Sequence, residues 1–431
     1  MSENTPQFHL NPSIDGLGIS ATVAIDYQAD QLRKEGKEIF KLGLGESPFP
    51  VPKPVVEALK THASEKSYLP VKGLRQLQEA VSDHHKRVFN IERQPEDVLI
   101  GPGSKELMFL LQLVYYGDLI IPAPSWVSYA PQAKIIGRDI HWLNTSYENN
   151  WLIQADELEQ ICFKDPNKAR LMIVNYPSNP TGQTYSESQL KDLADVARKH
   201  KVVFLSDEIY AKLHHEGNHK SIVEMYPEGT ILSGGLSKWC GAGGWRLGVF
   251  VFPEDLRWLL DGMATVGSET FTSTSSPIQH AAITAFQPSK EIDEYIQNEI
   301  RILKALGNNL TEKLQNAGAK VKCPQGGFYI FPDFSEFRDG LNKKGITTSK
   351  EMCEKLLEDT GVAILPGSDF GRPPEEFTAR LAYVDFDGGK ALDAVAKIPN
   401  NEMLGNDFLS EYCGNMLEAV DRICNWINEL K

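Results

Sequence analysis

The sequence predicts an α/β fold built on a mostly parallel sheet, and three observations carry that expectation. Six short apolar runs recur along the middle of the chain: VLIG at 98–101, DLIIP at 118–122, RLMIV at 170–174, VVFLS at 202–206, TILSG at 230–234 and LGVFVF at 247–252. Amphipathic stretches separate them, and strand, helix, strand repeated in this way means parallel strands with crossover helices on both faces. The composition, 41% apolar and 24% charged over 431 residues, is that of an ordinary globular protein, long enough for two or three domains. In such a sheet ligands lie beyond the carboxyl ends of the strands.

Taken in order, the first 45 or so residues hold no sheet of their own and are expected to pack at a junction. Between the third and fourth apolar runs, SESQLKDLADVARKH places Ser186 and Gln189 at capping-box spacing, and Leu190, Leu193, Ala194 and Ala197 keep helical period. After about residue 290 a long helical pattern runs from Ile292 to Leu314, followed by a Gly-rich strand start at GGFYIFPDF. Thr348 and Glu351 form a second capping box ahead of MCEKLLEDTG. VAILPG and FTARLAYV then read as strands, and the pattern from Leu409 to Leu430 closes the chain as a helix. The segment 385–407 is long for a connection and could shape a pocket entrance. This organisation gives a large domain at 46–290 and a smaller α/β domain made of 1–45 and 291–431.

With 44 Lys+Arg against 58 Asp+Glu the net charge is −14. Nucleic acid and anionic membrane select basic surfaces and are not expected partners; an anion bound here needs a few locally placed cations. Six cysteines without CxxC spacing read as free thiols of a reducing compartment. The N-terminal MSENTPQFHLNPSIDG has neither a basic nor an apolar leader region, so the expected location is the cytoplasm. Cys240 reads as a buried small apolar residue.

Two motifs are false leads. HHEGNH matches the zinc-protease pattern H-E-x-x-H at His215, Glu216 and His219, but Gly217 and Asn218 oppose the helix that would bring both imidazoles to one metal. A solvated polar loop is expected there, and no metal. IGPGSKE lacks the third glycine of a dinucleotide fingerprint. What remains is a strand, a turn at Gly103 and a helix starting near Ser104, whose free N–H groups can hold a phosphate or simply be capped.

The strong signal is NYPSNPTG at 175–182, then Asp207 in FLSDEIY, then Lys238 in GGLSKWCGAGGWRLG. In this order the segments resemble those of the fold-type I aminotransferases, and the likeness covers most of the chain. It implies a fold-type I transferase with a sheet of the seven-stranded type, dependent on pyridoxal 5'-phosphate, transferring an amino group between an L-amino acid and a 2-oxo acid by ping-pong turnover. Lys238 would bond the cofactor covalently and shuttle the proton. Asp207 would keep the ring nitrogen protonated, and Asn179 and Tyr210 would donate to the ring oxygen. Arg246, Gly103, Ser104 and Ser237 would hold the phosphate, a task suited to a guanidinium. Relatives often carry serine where Gly235 stands, and Ser233 or Ser237 is the expected substitute. Trp126 would stack on the ring; Trp239 and Trp245 suit a closed pocket. Tyr68, in SYLPVKGLR, would reach the phosphate of a second subunit and make a homodimer with shared sites.

For substrate the resemblance implies Arg380, in FTARLAYV, as the α-carboxylate clamp, with the Gly45 amide beside it. ISATVA is similar to the start of a prokaryotic aspartate aminotransferase subgroup, some of whose members use prephenate. That likeness puts Ser20, Thr22 and Lys105 on the distal carboxylate, with aspartate and 2-oxoglutarate as the first substrates to expect. C–S lyases, decarboxylases and cyclopropane-forming synthases share these motifs, and a non-catalytic regulator of the same fold is a more distant alternative.

Overall fold

The computed structural model describes residues 10–431. A two-residue strand, β1 (Phe40–Lys41), precedes the main sheet of β2 (Val98–Gly101), β3 (Asp118–Ala123), β4 (Ile140–Asn144), β5 (Arg170–Asn175), β6 (Val203–Asp207), β7 (Thr230–Gly235) and β8 (Gly248–Val251). Their spatial order is β2-β8-β7-β6-β5-β3-β4. All pairings are parallel except those of β8, which runs antiparallel to both β2 and β7. Six of these strands coincide with the apolar runs. The seventh, β4, lies at the edge with His141, Trp142 and Asn144 exposed, so it lacks the continuous apolar signature of a strand buried on both faces.

Alternation along the strands separates the two faces. Leu99, Ile121, Leu171, Ile173, Leu205, Ile231 and Phe250 pack with Leu107 and Leu111 of the helix Ser104–Val114 and Leu260 of the helix Arg257–Thr270. On the other face Ile120, Met172, Val174 and Phe204 pack with Leu158 and with Leu190, Leu193 and Ala197. The helix Glu187–His200 is capped by Ser186, whose hydroxyl accepts from Gln189 N while the Gln189 side chain accepts from Ser186 N, as the spacing requires.

The helix Lys290–Ala317 begins at a Ser289 cap and ends at Gly318 in the left-handed region (φ 102°). At 28 residues it spans about 42 Å at 1.5 Å per residue, and it packs against both the loop after Tyr210 and the C-terminal elements. Beyond it a three-stranded antiparallel sheet forms from β9 (Tyr329–Ile330), β11 (Leu365–Pro366) and β12 (Ala379–Ala382), with β12 central. The chain's two ends meet where β1 pairs in parallel with β10 (Val362–Ala363). Thr348 and Glu351 cap the helix Ser349–Thr360 as expected. The closing helix is two, Asn406–Tyr412 and Gly414–Asn428, broken at Cys413.

No residue of segment 385–407 lines the cavity described below. The segment forms the helix Gly388–Val395 and then a loop held by Arg301, whose guanidinium donates to the carbonyls of Val395, Ile398, Pro399 and Glu402. Among the described residues no helix is long and apolar enough to cross a membrane.

Candidate active site

Strand direction explains why residues far apart in sequence share one cavity. Parallel β5, β6 and β7 end together, and the register pairs Asn175 with Asp207 and Asp207 with Ser233. Because β8 is reversed, its amino end lies at that same edge, opposite Gly235 and Gly101, and delivers Arg246 there. The resulting cavity, of about 500 Å³, is lined by Lys238, Asp207, Asn179, Tyr210, Ser104, Ser237, Trp126, Arg246, Gly45, Arg380, Lys105 and Thr22. Of the residues assigned directly to cofactor or substrate from the sequence, three do not line it. Gly103 lies just behind, Ser20 lines an adjoining cavity that shares Lys105, and Tyr68 stands 88% exposed on the surface.

Asp207 is the buried acid of the cavity. Tyr129 Oη donates to its Oδ2 at 2.6 Å and Ser233 Oγ to its Oδ1 at 3.2 Å, while Asn175 Nδ2 holds its backbone carbonyl at 2.8 Å. Burial pushes the carboxyl up to about 6 against the pull of those donors and of Lys238. Two donors leave acceptor sites free on the carboxylate, so it can take one further proton donor from the cavity. Ser233 is thus committed to Asp207 and does not replace the missing phosphate serine. Nor can a serine stand at Gly235 itself: a Cβ there would lie 2.6 Å from the Leu247 carbonyl oxygen. Gly235→Ser is expected to cost about 1–3 kcal/mol of stability, read by chemical denaturation; an unchanged midpoint would contradict this packing argument.

Opposite the acid stand four cations that make no ion pair with a carboxylate among the described residues: Lys105, Lys238, Arg246 and Arg380. Lys238 Nζ donates to the Gly45 carbonyl at 2.7 Å. Burial, with Arg246 and Lys238 nearby, holds the Lys105 ammonium below its ordinary value, and its Nζ sits 5.0 Å from the Trp126 ring centroid. Arg246, in the left-handed region (φ 58°), packs its guanidinium where a Cβ on Gly103 would be, beside the start of the helix Ser104–Val114. A guanidinium and free helix-start N–H groups in one cradle suit a phosphate. Arg380 is 1% exposed; it donates to Asn179 Oδ1 at 3.0 Å and to the Gly43 carbonyl, and its Nε has no partner among the described residues. Burying such a charge without a carboxylate is unfavourable unless an anion joins it. The donor set therefore fits pyridoxal phosphate: an amine, a ring-nitrogen acceptor, a phosphate cradle and a free carboxylate clamp.

Sequence reasoning passed over Tyr129, Asn175 and Tyr329, although a polar residue ending an apolar run marks the carboxyl edge for Asn175. Trp239 and Trp245 do not line the cavity; Trp239 is buried under Lys212, whose Nζ is 3.5 Å from its ring centroid. Burial pushes the Cys240 thiol up to about 12. The HHEGNH segment is not solvated at its histidines. His215 bonds the carbonyls of Pro324 and Gly327, and His219 Nε2 lies 2.7 Å from Glu208 Oε2 with both side chains 3% exposed.

The family model for aminotransferase class I and II matches residues 37–384. An aspartate aminotransferase of Bacillus sp. (strain YM-2) is 32% identical over 84% of this chain and 92% of its own. An asparagine–oxo-acid transaminase of Streptococcus mutans is 30% identical over 84% and 92%. The solved aspartate aminotransferase of Thermus thermophilus with maleate superposes with a TM-score of 0.82, at 27% identity, over 97% of this chain and 100% of that one.

Proposed function

The chain belongs to the aminotransferase class I and II family and is a pyridoxal-phosphate-dependent aminotransferase, and from that premise we propose that it exchanges the amino group of aspartate with 2-oxoglutarate in a cytoplasmic homodimer. The observation that carries this reading is the set of four cations, unpaired with any carboxylate among the described residues, that share one cavity with the buried Asp207 and the exposed Glu46 in a chain of net charge −14. A cavity so charged favours a cofactor phosphate together with a substrate bearing two carboxylates. Relatives named for aspartate, and one solved with the dicarboxylate maleate, support the choice.

Pyridoxal phosphate supplies an aldehyde that bonds amines and a protonated ring that draws electrons from the carbon losing its proton. Lys238 would bond that aldehyde through its amine and, as a free amine, would carry the proton from the substrate Cα. Asp207 would keep the ring nitrogen protonated, with Tyr129 and Ser233 holding its carboxylate. Asn179 and Tyr210 would donate to the ring oxygen, and Trp126 would pack against the ring. Arg246, Ser104, Ser237 and the amides after Gly103 take the phosphate, and Tyr68 of a second copy completes that cradle. Arg380, with the Gly45 backbone, orients the α-carboxylate so that the Cα–H bond faces Lys238. Lys105, Thr22 and Ser20, whose hydroxyl lies 3.2 Å from that of Thr22, take the distal carboxylate. The two-part division, 46–290 against 1–45 and 291–431, assigns cofactor binding to the large part and the substrate clamp to both ends of the chain.

A panel of amino donors with 2-oxoglutarate tests the substrate. Lys105→Ala is expected to raise the KM for aspartate roughly 10- to 100-fold, the worth of one charge-assisted contact, and to change that for alanine far less. Equal losses for both donors would remove Lys105 from side-chain recognition. An equal preference for asparagine would move the assignment to the amide, and release of ammonia without any acceptor would remove transamination itself.

A further inference from the structure

Tyr329 occupies a place that the residues assigned so far do not explain. It lies at the start of β9, 1% exposed, and its hydroxyl is 2.8 Å from that of Tyr210, itself 3% exposed. The two rings meet edge to face at 5.5 Å. Three further contacts fix the phenol. Its ring lies 4.8 Å from the Arg380 guanidinium, its strand pairs with β12, which carries Arg380, and its hydroxyl fills the position that a Cβ on Gly45 would take. Among the described residues, Tyr210 is the hydroxyl's only hydrogen-bond partner.

We infer that Tyr329 is a positioning residue that orients the Tyr210 hydroxyl toward the cofactor's ring oxygen and ties that donor to the strand pair carrying the substrate clamp. The inference rests on the pyridoxal-phosphate reading. A phenol has one proton. Where Tyr210 gives its own to the ring oxygen, the bond between the two tyrosines must run from Tyr329 Oη to Tyr210 Oη. Two donors in series polarise one another in a dry site, and the second fixes the rotor of the first. Asn179 is held in a comparable way, since its Oδ1 accepts from Arg380 and only its amide hydrogens remain for a ligand. Tyr329 gives the other donor a support on the same small sheet.

The test is a spectrophotometric pH titration of the lysine-bound cofactor in the holoenzyme. Stronger donation to the ring oxygen lowers the pH at which that chromophore takes up its proton. Tyr329→Phe keeps the ring and its packing but removes the hydroxyl, and is expected to raise the midpoint by roughly half to one pH unit, about 3- to 10-fold in proton affinity. Tyr210→Phe should raise it further, and Y210F/Y329F should equal Y210F alone, because Tyr329 acts only through Tyr210. The charged groups that share the cavity with the lysine, Asp207, Glu46, Arg246, Arg380 and Lys105, are unchanged throughout the series. A wild-type midpoint in Tyr329→Phe would overturn the inference, as would an equal shift when the change is made on the Tyr210→Phe background. Failure of the cofactor reading looks different: wild-type protein would then form no lysine-bound chromophore at any pH.

Discussion

Lys238→Ala is expected to abolish the yellow colour of the cofactor-loaded enzyme and to lower transamination by roughly 10⁴-fold or more, since one amine serves both as covalent anchor and as proton carrier. The variant should fold. Among the described residues the one side-chain hydrogen bond that Lys238 makes is to the Gly45 carbonyl, which faces the cavity, so stability should change by no more than about 1 kcal/mol. Cofactor should still bind through the Arg246 cradle and Asp207, but without the visible absorbance of the lysine-bound form. Absorption spectra and single-turnover kinetics with aspartate read both effects. Retained turnover would take the catalytic role away from Lys238.

Asp207→Asn is expected to act in opposite directions on stability and on activity. Burial pushes the Asp207 carboxyl up to about 6 from an ordinary 3.8, so the cofactor-free folded protein holds that proton more tightly than the unfolded chain does. The contribution is favourable below about pH 4 and is lost as pH rises through about 6, leaving at neutral pH a penalty of at most roughly 3 kcal/mol. Asparagine keeps the shape without the charge. Cofactor-free Asp207→Asn should therefore unfold several degrees above wild type at pH 7.5, with the difference closing toward pH 4. The loaded variant should turn over at least about 10²-fold more slowly, because a neutral amide cannot keep the ring nitrogen protonated. Thermal unfolding of the cofactor-free protein across pH, set beside turnover of the loaded one, measures both. A less stable variant at pH 7.5 would refute the electrostatic part, and near-normal turnover the catalytic part.

What could be read from the sequence depended on how local the signal was. Strands buried on both faces announce themselves as unbroken apolar runs, which is why β2, β3, β5, β6, β7 and β8 were legible and edge strand β4 was not. Lys238, Asp207 and Arg246 could be named because NYPSNPTG, FLSDEIY and GGLSKWCGAGGWRLG, local motifs in the right order, carry the resemblance to the aminotransferases. Tyr129 and Tyr329 could not, since an aromatic in an apolar stretch reads as core. Their roles depend on hydroxyl partners 78 and 119 residues away, Asp207 and Tyr210, which no local pattern reports. His215 and His219 misled in the opposite sense, polar in type yet enclosed, the first by the carbonyls of Pro324 and Gly327 and the second beside the buried Glu208.

The pairing of β1 with β10 joins residues 40–41 to 362–363, and Gly43 meets Arg380 across 337 positions. On a ribosome making about 5–20 residues per second, Phe40 and Leu42 wait on the order of half a minute for the strands that bury them. Over the same interval β2 to β8 are completed, and with them the edge that presents Asp207 and Lys238. Biosynthesis thus finishes the cofactor's side of the site before the substrate's, and a message truncated ahead of residue 362 would leave the amino-terminal strand without a partner, its apolar side chains open to aggregation.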